Sequence, residues 1–442
     1  MKRRHFLSLT GTLGATGLML PIDTFENQAD HISNSQILID KTNSSIISYR
    51  GIYTSAYKEL YEILRKHLID CLERSKVEYD NNFKIHSPCV SNTYRGLWPD
   101  DFLYPMLVES GLYDKERLTQ ISKFLTESMV DLELFPDRVD SDGMPMMHPG
   151  YAFSQHPTER MPLHLPAAWI RLIDYIEKMG ATIPRKEDWA LLFKRGIDSI
   201  SFACGLAYSD PQHARVGFGY HDMVAITGFE LMSSMVLHFG LKRGARFFNG
   251  YIEKTEINKW ERLSKEIADN LYRLFDEEHG AYFAGSKDCR QINVWGNGLA
   301  YWMSKPEIRK RIGQYYEKNR KAIFLKGATR QIAEPEGWQR MWAAKYDMNL
   351  GRYESSLVGS YINGGFWSVG TGWVLPAIEI ENPELALEIA REMVENSVKL
   401  GFPECVSADG NGGGASGFIA GIAVPMMGLK AIIEKKPFSD YF

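Results

Sequence analysis

The feature that most constrains the fold is a series of helical segments of two kinds that alternate along the chain. About twelve stretches between residues 51 and 435 repeat apolar side chains with the period of an α-helix. Charged, amphipathic segments are typified by 115–132 and 256–276, and apolar segments rich in small residues by 366–380 and 415–435. The chain is therefore predicted to be all-α.

The alternation predicts how these helices pack. An amphipathic helix has one face in water, whereas an apolar helix is covered on most sides. We therefore expect an outer ring around an inner ring, six hairpins that close into an (α/α)6 barrel as a single catalytic domain over 51–442. The sequence shows no alternation of strands and helices, which argues against a βαβ fold. A helical solenoid is the competing layout, but no motif of fixed period is found.

Composition excludes several classes of protein. The net charge is −4 and no basic block is present, which argues against a nucleic-acid partner. Beyond the N-terminus no apolar run is long enough to cross a bilayer. The five cysteines form no CxxC pair and the 11 histidines no HxxxH or HExxH spacing, so neither a metal nor another cofactor is expected. The sequence does not indicate an oligomeric state.

The N-terminus has the features of a targeting segment. Lys2, Arg3 and Arg4 precede a weakly apolar stretch rich in Gly and Thr, which resembles a twin-arginine export signal. We expect a signal at 1–21, a polar linker at 22–50 and a periplasmic location. A short, disordered cytosolic N-terminus is the alternative.

Five clusters combine aromatic residues with Gly, Asp, Glu or Asn, and each lies near the start of an apolar segment. They are "RGLWPDDF" (95–102), "GFGYHDM" (217–223), "INVWGNG" (292–298), "YINGGFW" (361–367) and "FPECVSADGNGGGASG" (402–417). In a closed barrel all inner helices begin at one end, so these loops should meet at one mouth, which the loop "EPEGWQ" (334–339) could join. Free N–H groups at helix starts favour carboxylates and hydroxyl oxygens, and indole rings stack on sugar C–H faces. A sugar-binding cavity is predicted.

Three of these clusters resemble stretches of a known group of enzymes, the six-hairpin glycosidases, which include trehalases, processing α-glucosidase I, neutral invertases and glucoamylases. "FPECVSADGNGGGASGFIAGIAVP" (402–425) is similar to the stretch in which a glutamate precedes a Gly-rich loop and the last inner helix. That resemblance implies that Glu404 is the catalytic base. "GFGYHDMVAITG" (217–228) is similar to the region of the mid-chain aspartate, which implies that Asp222 is the general acid. The stretch "YINGGFW" also resembles a sugar-binding loop of this group.

The sequence departs from the pattern in two places. Cys405 and Val406 stand where the group has an aromatic partner after its glutamate, and the fuller trehalase signature around the acid is absent. Trehalose is therefore not implied as the substrate.

Acetal hydrolysis explains why two carboxyl groups are needed, one protonated and one ionised. Asp222 has apolar neighbours that would raise its pKa and suit an acid, whereas Glu404 is expected in a polar loop that can hold water. The two lie about three inner helices apart, across the barrel, which favours an inverting enzyme. The alternatives are an N-cap role for Asp222 in a helix at 221–240, and a solvated loop carboxylate for Glu404.

Asp100 and Asp101 follow Pro99 at a predicted helix start, and two adjacent aspartates exceed the need for capping. Asp101 is therefore a third catalytic candidate. The predicted substrate-binding residues are Arg95, Trp98, Asp100, Tyr220, His221, Trp295, Glu336, Trp338, Asn363, Trp367 and Trp373.

The best-supported function is a glycoside hydrolase acting on an oligo- or polysaccharide. The same barrel also carries polysaccharide lyases, for which Tyr220 or His221 could be the base, and non-catalytic sugar-binding toroids. The sequence does not identify the sugar, the linkage, or an endo or exo action.

Overall fold

The structure is a computed structural model, and it describes residues 44–79, 83–91, 93–147, 151–152, 161–212, 221, 224–341 and 358–442. One compact unit extends from Ser48 to Phe442. Its helices, with α1 beginning shortly before the unit, are α1 (Ser44–Arg74), α2 (Pro99–Val108), α3 (Lys115–Met129), α4 (Leu165–Lys178), α5 (Lys186–Asp198), α6 (Leu231–Phe247), α7 (Lys254–Asn270), α8 (Val294–Met303), α9 (Pro306–Lys318), α10 (Arg320–Ile323), α11 (Ser368–Glu381), α12 (Pro383–Leu400) and α13 (Ala420–Glu434).

Six of these helices form a closed inner ring. Helix α2 packs against α4, α4 against α6, α6 against α8, α8 against α11 and α11 against α13, and α13 then packs back against α2. These helices are buried on most sides; in α11, for example, every residue from Ser368 to Ile378 is buried. The predicted (α/α)6 barrel is confirmed.

The amphipathic helices lie outside this ring. Helices α3, α5, α7, α9 and α12 each contact an inner helix that adjoins them in sequence. Helix α1 is tied to the end of α2, since the Tyr61 hydroxyl donates to the Val108 carbonyl at 2.9 Å and Arg65 pairs with Glu109 at 2.6 Å. The alternation of the two kinds of helix is therefore the alternation of outer and inner ring.

Small residues allow the inner helices to approach closely. A methyl group at Gly372 would overlap the backbone of Val424, and one at Gly298 would overlap the carbonyl of Trp373. Glycine at these positions is required by backbone-to-backbone contact between neighbouring helices, which explains why the inner segments are rich in it.

The strands are short, and every named strand pair is antiparallel. They are β1 (Lys76–Tyr79), β2 (Phe83–His86), β3 (Gly96–Leu97), β4 (Arg138–Asp140), β5 (Pro145–Met147), β6 (Tyr151–Ala152), β7 (Ser201–Ala203), β8 (Leu206–Ser209), β9 (Gly228–Phe229), β10 (Phe275–Asp276), β11 (Ala281–Tyr282), β12 (Phe324–Leu325), β13 (Ala328–Arg330), β14 (Phe366–Trp367), β15 (Pro403–Val406) and β16 (Gly412–Ser416). Strands β12 to β16 form a five-stranded sheet in sequence order, and β3 to β6 a four-stranded one. Strands β10 and β11 pair as a small hairpin after α7.

The helix predicted at 221–240 starts too early. Helix α6 begins at Leu231, and the residues before it include the short strand β9. Gly228 has φ of 79° and Glu230 is extended, with φ −114° and ψ 128°, so neither residue can continue a helix. The suggested N-cap role of Asp222 at this helix is therefore wrong, since Glu230 occupies the N-cap position.

Residues 187–207 repeat apolar side chains with a helical period, but the helix ends before this stretch does. Helix α5 stops at Asp198, and β7 and β8 form a hairpin beyond it. Cys204 and Gly205, at φ 50° and 77°, make the turn of this hairpin. The apolar residues after Asp198 are spaced as in a helix, but this stretch forms the strands β7 and β8. No helix in the described part of the chain is long and apolar enough to span a membrane.

Candidate active site

The predicted clusters precede inner helices, as the barrel requires. Trp98 immediately precedes α2, Asn293 precedes α8, and Trp367 precedes α11. Glu404 lies on β15, whose neighbour β14 leads directly into α11. The start of α11 and the glutamate are thus held by one sheet.

Glu404 is the centre of a hydrogen-bonded group. The Tyr94 hydroxyl donates to both carboxylate oxygens, at 2.9 Å to Oε1 and 3.0 Å to Oε2. The Tyr361 hydroxyl donates to Oε1 at 3.2 Å, and the Ala415 N–H donates to Oε2 at 2.9 Å. Because all three groups are donors, they fit the ionised carboxylate, which only accepts.

Glu404 lies on a strand and is 4% exposed, so the expected polar loop and the alternative of a solvated loop carboxylate are both wrong. The Gly-rich run that suggested a loop is strand β16, and glycine there makes room for the carboxylate. A side chain at Gly414, whose φ is 71°, would come within 2.5 Å of Glu404 Oε2. Glycine at position 414 thus leaves the room that the Glu404 carboxylate occupies.

Burial raises the pKa of Glu404, while the hydrogen bonds from Ala415, Tyr94 and Tyr361 act in the opposite direction. The net direction is upward from the ordinary value. Glu404 therefore combines the environment of a perturbed functional carboxyl with donors that stabilise its charged form.

Aromatic rings continue from Glu404 in two directions and form one connected set, here called the aromatic cluster: Trp98, Tyr94, Tyr361, Trp367, Trp295, His221 and Trp338. On one side the ring centroid of Tyr94 lies 5.4 Å from that of Trp98. On the other side Tyr361 lies 5.1 Å from Trp367. The two tyrosines that donate to Glu404 thus each contact a tryptophan.

The cluster extends beyond Trp367. The centroid of Trp295 lies 6.0 Å from Trp367 and 6.1 Å from His221, and His221 lies 5.4 Å from Trp338. Stretches that are up to 310 residues apart in sequence, as Tyr94 and Glu404 are, thus meet at one site. Trp295 is fully buried, with its Nε1 donating to the Thr329 carbonyl at 3.2 Å, so it supports the cluster from within the core.

His221 is fully buried, and burial lowers its pKa to about 3. The side chain of Asn293 opposes this shift and His164 adds to it. The ring is therefore neutral at physiological pH and acts as a packing residue of the cluster.

Trp98 is half-buried, and its Nε1 donates to Asp137 Oδ2 at 2.9 Å. Its exposure and its contact with Tyr94 make it the tryptophan best placed to stack on a ligand next to Glu404. The sequence offered no signal for Asp137, because the stretch around it carries neither tryptophan nor glycine.

The two aspartates at the start of α2 have different surroundings. Asp100 Oδ1 pairs with Arg171 at 2.7 Å, and the Arg171 side chain is only 6% exposed. Asp100 thus has a structural partner, which does not support its predicted contact with substrate. Asp101 lies in the same first turn, three residues after Trp98, and is half-buried.

Other predicted contact residues occupy varied positions. Asn363 Oδ1 accepts from the Trp338 N–H at 2.8 Å, and Trp338 Nε1 donates to the Ile362 carbonyl at 3.1 Å, so these residues tie two loops together. Arg95 and Glu336 are exposed.

Trp373 is fully buried, and its ring centroid lies 4.8 Å from that of Phe442 and 5.9 Å from that of Phe438. This position, more than a turn along α11, is that of a core residue, so a substrate-binding role for Trp373 is not supported. The apolar helix that follows the "NGG" loop accounts for its burial.

Two predicted residues, Tyr220 and Asp222, lie outside the described residues. Their neighbour His221 is described and belongs to the aromatic cluster. Sequence reasoning missed Tyr94 and Tyr361, although Tyr361 begins a quoted cluster and Tyr94 precedes another directly. Their position at the edge of the quoted clusters was the signal that could have found them. Among the described residues, no group of three or more His, Cys, Asp or Glu could hold a metal ion.

No protein-family model matches the sequence, and no curated protein matches it. Solved structures do match in fold. The GH63 mannosylglycerate hydrolase from Thermus thermophilus, in complex with Tris, has a TM-score of 0.54 and 14% sequence identity. The match covers 82% of this chain and 99% of that one.

Two further matches are a wild-type glycosidase and a bacterial glucoamylase in complex with acarbose. The glycosidase has a TM-score of 0.53 and 11% identity, over 86% of this chain and 98% of that one. The glucoamylase has a TM-score of 0.52 and 13% identity, over 78% of this chain and 50% of that one. At these identities the likeness concerns the fold. This chain has the (α/α)6 barrel fold of the six-hairpin glycosidases.

Proposed function

We propose that this protein is a glycoside hydrolase that cleaves an oligo- or polysaccharide with inversion, using Glu404 as the catalytic base. The observation that carries the proposal is the buried Glu404 carboxylate, held by three donors, of which the two tyrosines contact Trp98 and Trp367. The similar folds of a mannosylglycerate hydrolase and a glucoamylase support a carbohydrate substrate.

The hydrogen bonds of Glu404 suit a base. A carboxylate offers about four lone-pair positions. Tyr361 and Ala415 each direct one proton at it, and the single Tyr94 proton is shared between the two oxygens, so three protons are directed at four positions. A water that approaches the remaining lone pair would be polarised by an oriented anion in a site of low dielectric. Such a water would attack the anomeric carbon on the face opposite the leaving group.

Two aspartates qualify as the general acid. Asp222 follows His221, which belongs to the aromatic cluster, and the sequence resemblance assigns the acid to this position. Asp101 lies in the first turn of α2, beside Trp98. We propose Asp222 as the acid and Asp101 as a residue that binds a sugar hydroxyl.

The lyase alternative receives no support from His221. Burial lowers its pKa to about 3, which makes it a weak base. A non-catalytic sugar-binding toroid would keep the aromatic cluster but show no turnover, so it is an outcome of the test.

The proposal is tested by incubating the protein with a panel of oligo- and polysaccharides and measuring released reducing ends. We expect release from at least one glycan, without the ultraviolet absorbance of a lyase product. Proton NMR at early time points should show the first-formed sugar with inverted anomeric configuration. Retained configuration would contradict the mechanism, and binding without release would contradict hydrolysis.

We also propose export through the twin-arginine route. The support is the sequence Lys2, Arg3, Arg4 ahead of a weakly apolar stretch. A fusion of residues 1–50 to a reporter should reach the periplasm, and the double variant Arg3→Lys, Arg4→Lys should remain in the cytoplasm.

A further inference from the structure

The environment of Trp98 contains a second arrangement that the proposed reaction does not itself require. Asp137 and Arg138, at the start of β4, both contact this one indole. The Asp137 carboxylate accepts from Nε1 at 2.9 Å, and the Arg138 guanidinium carbon lies 4.8 Å from the ring centroid. Asp137 and Arg138 are 13% and 17% exposed, so both contacts form in a largely desolvated setting.

These two contacts restrict the indole ring of Trp98 in different ways. The bond to Asp137 sets the rotation of the indole within its plane, because Nε1 is the only donor of the side chain. The guanidinium of Arg138 covers one face as a cation–π contact. The Tyr94 ring meets Trp98 at 73°, so it forms an edge contact.

The pairing of β3 with β4 holds Asp137 and Arg138 next to Trp98. Leu97, next to Trp98, pairs with Val139, and Gly96 pairs with Asp140. Arg138 Nε donates to Asp140 Oδ1 at 2.7 Å, which keeps the guanidinium across the sheet edge. A side chain at Gly96 would lie 2.8 Å from both Arg138 Cδ and Asp140 Oδ1, so glycine leaves the room that Arg138 occupies.

We infer that Asp137 and Arg138 are positioning residues that hold Trp98 as a stacking platform for a single pyranose ring next to Glu404. The inference rests on the proposed carbohydrate function and adds a specificity element to it. Arg138 occupies one face of the indole, so the ligand lies against the other. A ring with an unhindered C–H face, as in hexopyranoses with mostly equatorial hydroxyls, fits an apolar, rigid surface of this kind. A fixed platform binds more tightly because no rotamer freedom is lost on binding.

The first test uses fluorine NMR of protein labelled with 5-fluorotryptophan. The Trp98 resonance is assigned from its disappearance in Trp98→Phe. Without ligand, Asp137→Leu and Arg138→Met should shift or broaden this resonance, whereas Asp137→Asn, which keeps an acceptor for Nε1, should leave it close to wild type. A Trp98 resonance that stays unchanged in both Asp137→Leu and Arg138→Met would overturn the positioning role.

The second test titrates the labelled proteins with D-glucose, D-mannose, D-galactose and D-fructose. At least one hexose should shift the Trp98 resonance, and Asp137→Leu should raise its Kd about tenfold. An equal Kd in wild type and Asp137→Leu would overturn the inference, as would a Trp98 resonance that no hexose moves.

A control variant separates positioning from general loss of stability. Thr126→Val removes the acceptor of another buried indole, that of Trp189, whose Nε1 donates to Thr126 Oγ1 at 2.9 Å between α3 and α5. This variant should leave the hexose Kd within about twofold of wild type, and a tenfold rise in Thr126→Val would contradict the inference.

The outcomes also separate this inference from the proposed reaction. Hexose binding at Trp98 without release of reducing ends from any glycan would refute hydrolysis and leave the platform standing. Release of reducing ends with an unmoved Trp98 resonance would refute the platform and leave hydrolysis standing.

Discussion

At the scale of single residues, the account depends on the protonation of Glu404. Burial raises the pKa of this carboxyl, and three donors partly offset the shift by stabilising its charged form. The base must be ionised to act, so kcat/KM should fall on the acid side of the pH profile, with a midpoint above the ordinary value of a glutamate.

Tyr94 and Tyr361 should set the pH at which kcat/KM falls on the acid side, here called the acid limb of the pH profile. Tyr94→Phe removes a donor shared by both carboxylate oxygens, so the pKa of Glu404 should rise further and the limb should move to higher pH. Tyr361→Phe removes one longer bond and should have a smaller effect. Tyr175→Phe, whose hydroxyl bonds only the Met106 carbonyl among the described contacts, is the control and should not move the limb. A limb that stays in place in Tyr94→Phe would contradict the proposed coupling.

The same shift makes a prediction for stability. Because the folded pKa of Glu404 is raised, the native protein holds this proton more tightly than the unfolded chain, and stability is lost as the pH rises through the folded pKa. Glu404→Gln removes that loss. The Tm of Glu404→Gln relative to wild type should therefore improve between pH 4 and pH 7, as measured by calorimetry. A Tm difference that is constant with pH would show that folding does not raise the pKa of Glu404.

Asp100 and Asp101 should respond differently to substitution. Asp100→Asn leaves the buried Arg171 without its carboxylate, which should lower the free energy of unfolding by about 3 kcal/mol. Asp101→Asn should cost little stability but raise KM, because we assign it to a sugar hydroxyl. Urea denaturation and steady-state kinetics distinguish the two. A raised KM with unchanged stability in Asp100→Asn would restore its predicted role in substrate binding.

At the scale of helices and strands, close backbone contact explains the composition of the inner ring. Gly372→Ala would place a methyl group against the Val424 backbone, and we expect a loss of about 1–3 kcal/mol in unfolding free energy. Gly421→Ala is the matched control on an inner helix, since its nearest neighbour would be Phe418 at an ordinary 3.4 Å. Equal stability of the two variants in urea would contradict the packing argument.

The sequence predicted the helices well where period and composition agreed. The apolar segment predicted at 366–380 corresponds to α11 within about two residues. The errors occurred where tertiary pairing overrides local periodicity. At 221–230 the positive φ of Gly228 and the strand β9 delay the helix, and neither is visible in a hydrophobic period.

The candidate site was only partly predictable for a related reason. Trp98, Trp367 and Glu404 could be selected because Gly and aromatic residues cluster around them in sequence. Asp137 could not, since its link to Trp98 arises from the pairing of β3 with β4. The room for the Glu404 carboxylate also depends on Gly414 in β16, which local composition alone suggested to be a loop.

At the scale of the whole molecule, an ionic group around the buried Asp174 joins two helices of the inner ring. The Asp174 carboxylate on α4 pairs with Lys178 at 2.7 Å and with Arg246 at 2.9 Å, and it also contacts Arg243. The Arg243 guanidinium in turn donates to the carbonyl of Phe442. This group ties α4, α6 and the last residue of the chain together.

Asp174 should therefore support stability and not catalysis. Burial alone would raise its pKa, but Lys178 and Arg243 bring the pKa of Asp174 below its usual range. A depressed folded pKa contributes stability above the unfolded pKa, and this is lost as the pH falls through the folded value. Asp174→Asn should lower Tm at pH 7, by less as the pH falls, with kcat unchanged. A lower kcat would show that this group also shapes the active site.

The central claim is that Glu404 is the base of a glycoside hydrolase, and the most direct test is the kcat of Glu404→Gln on the glycan that the wild type hydrolyses fastest. Loss of a general base costs about 10²–10⁴-fold, so the account predicts a fall of that size. Circular dichroism and the Kd for the intact glycan should stay close to wild type. A folded variant that keeps more than about a tenth of the wild-type kcat would contradict the account.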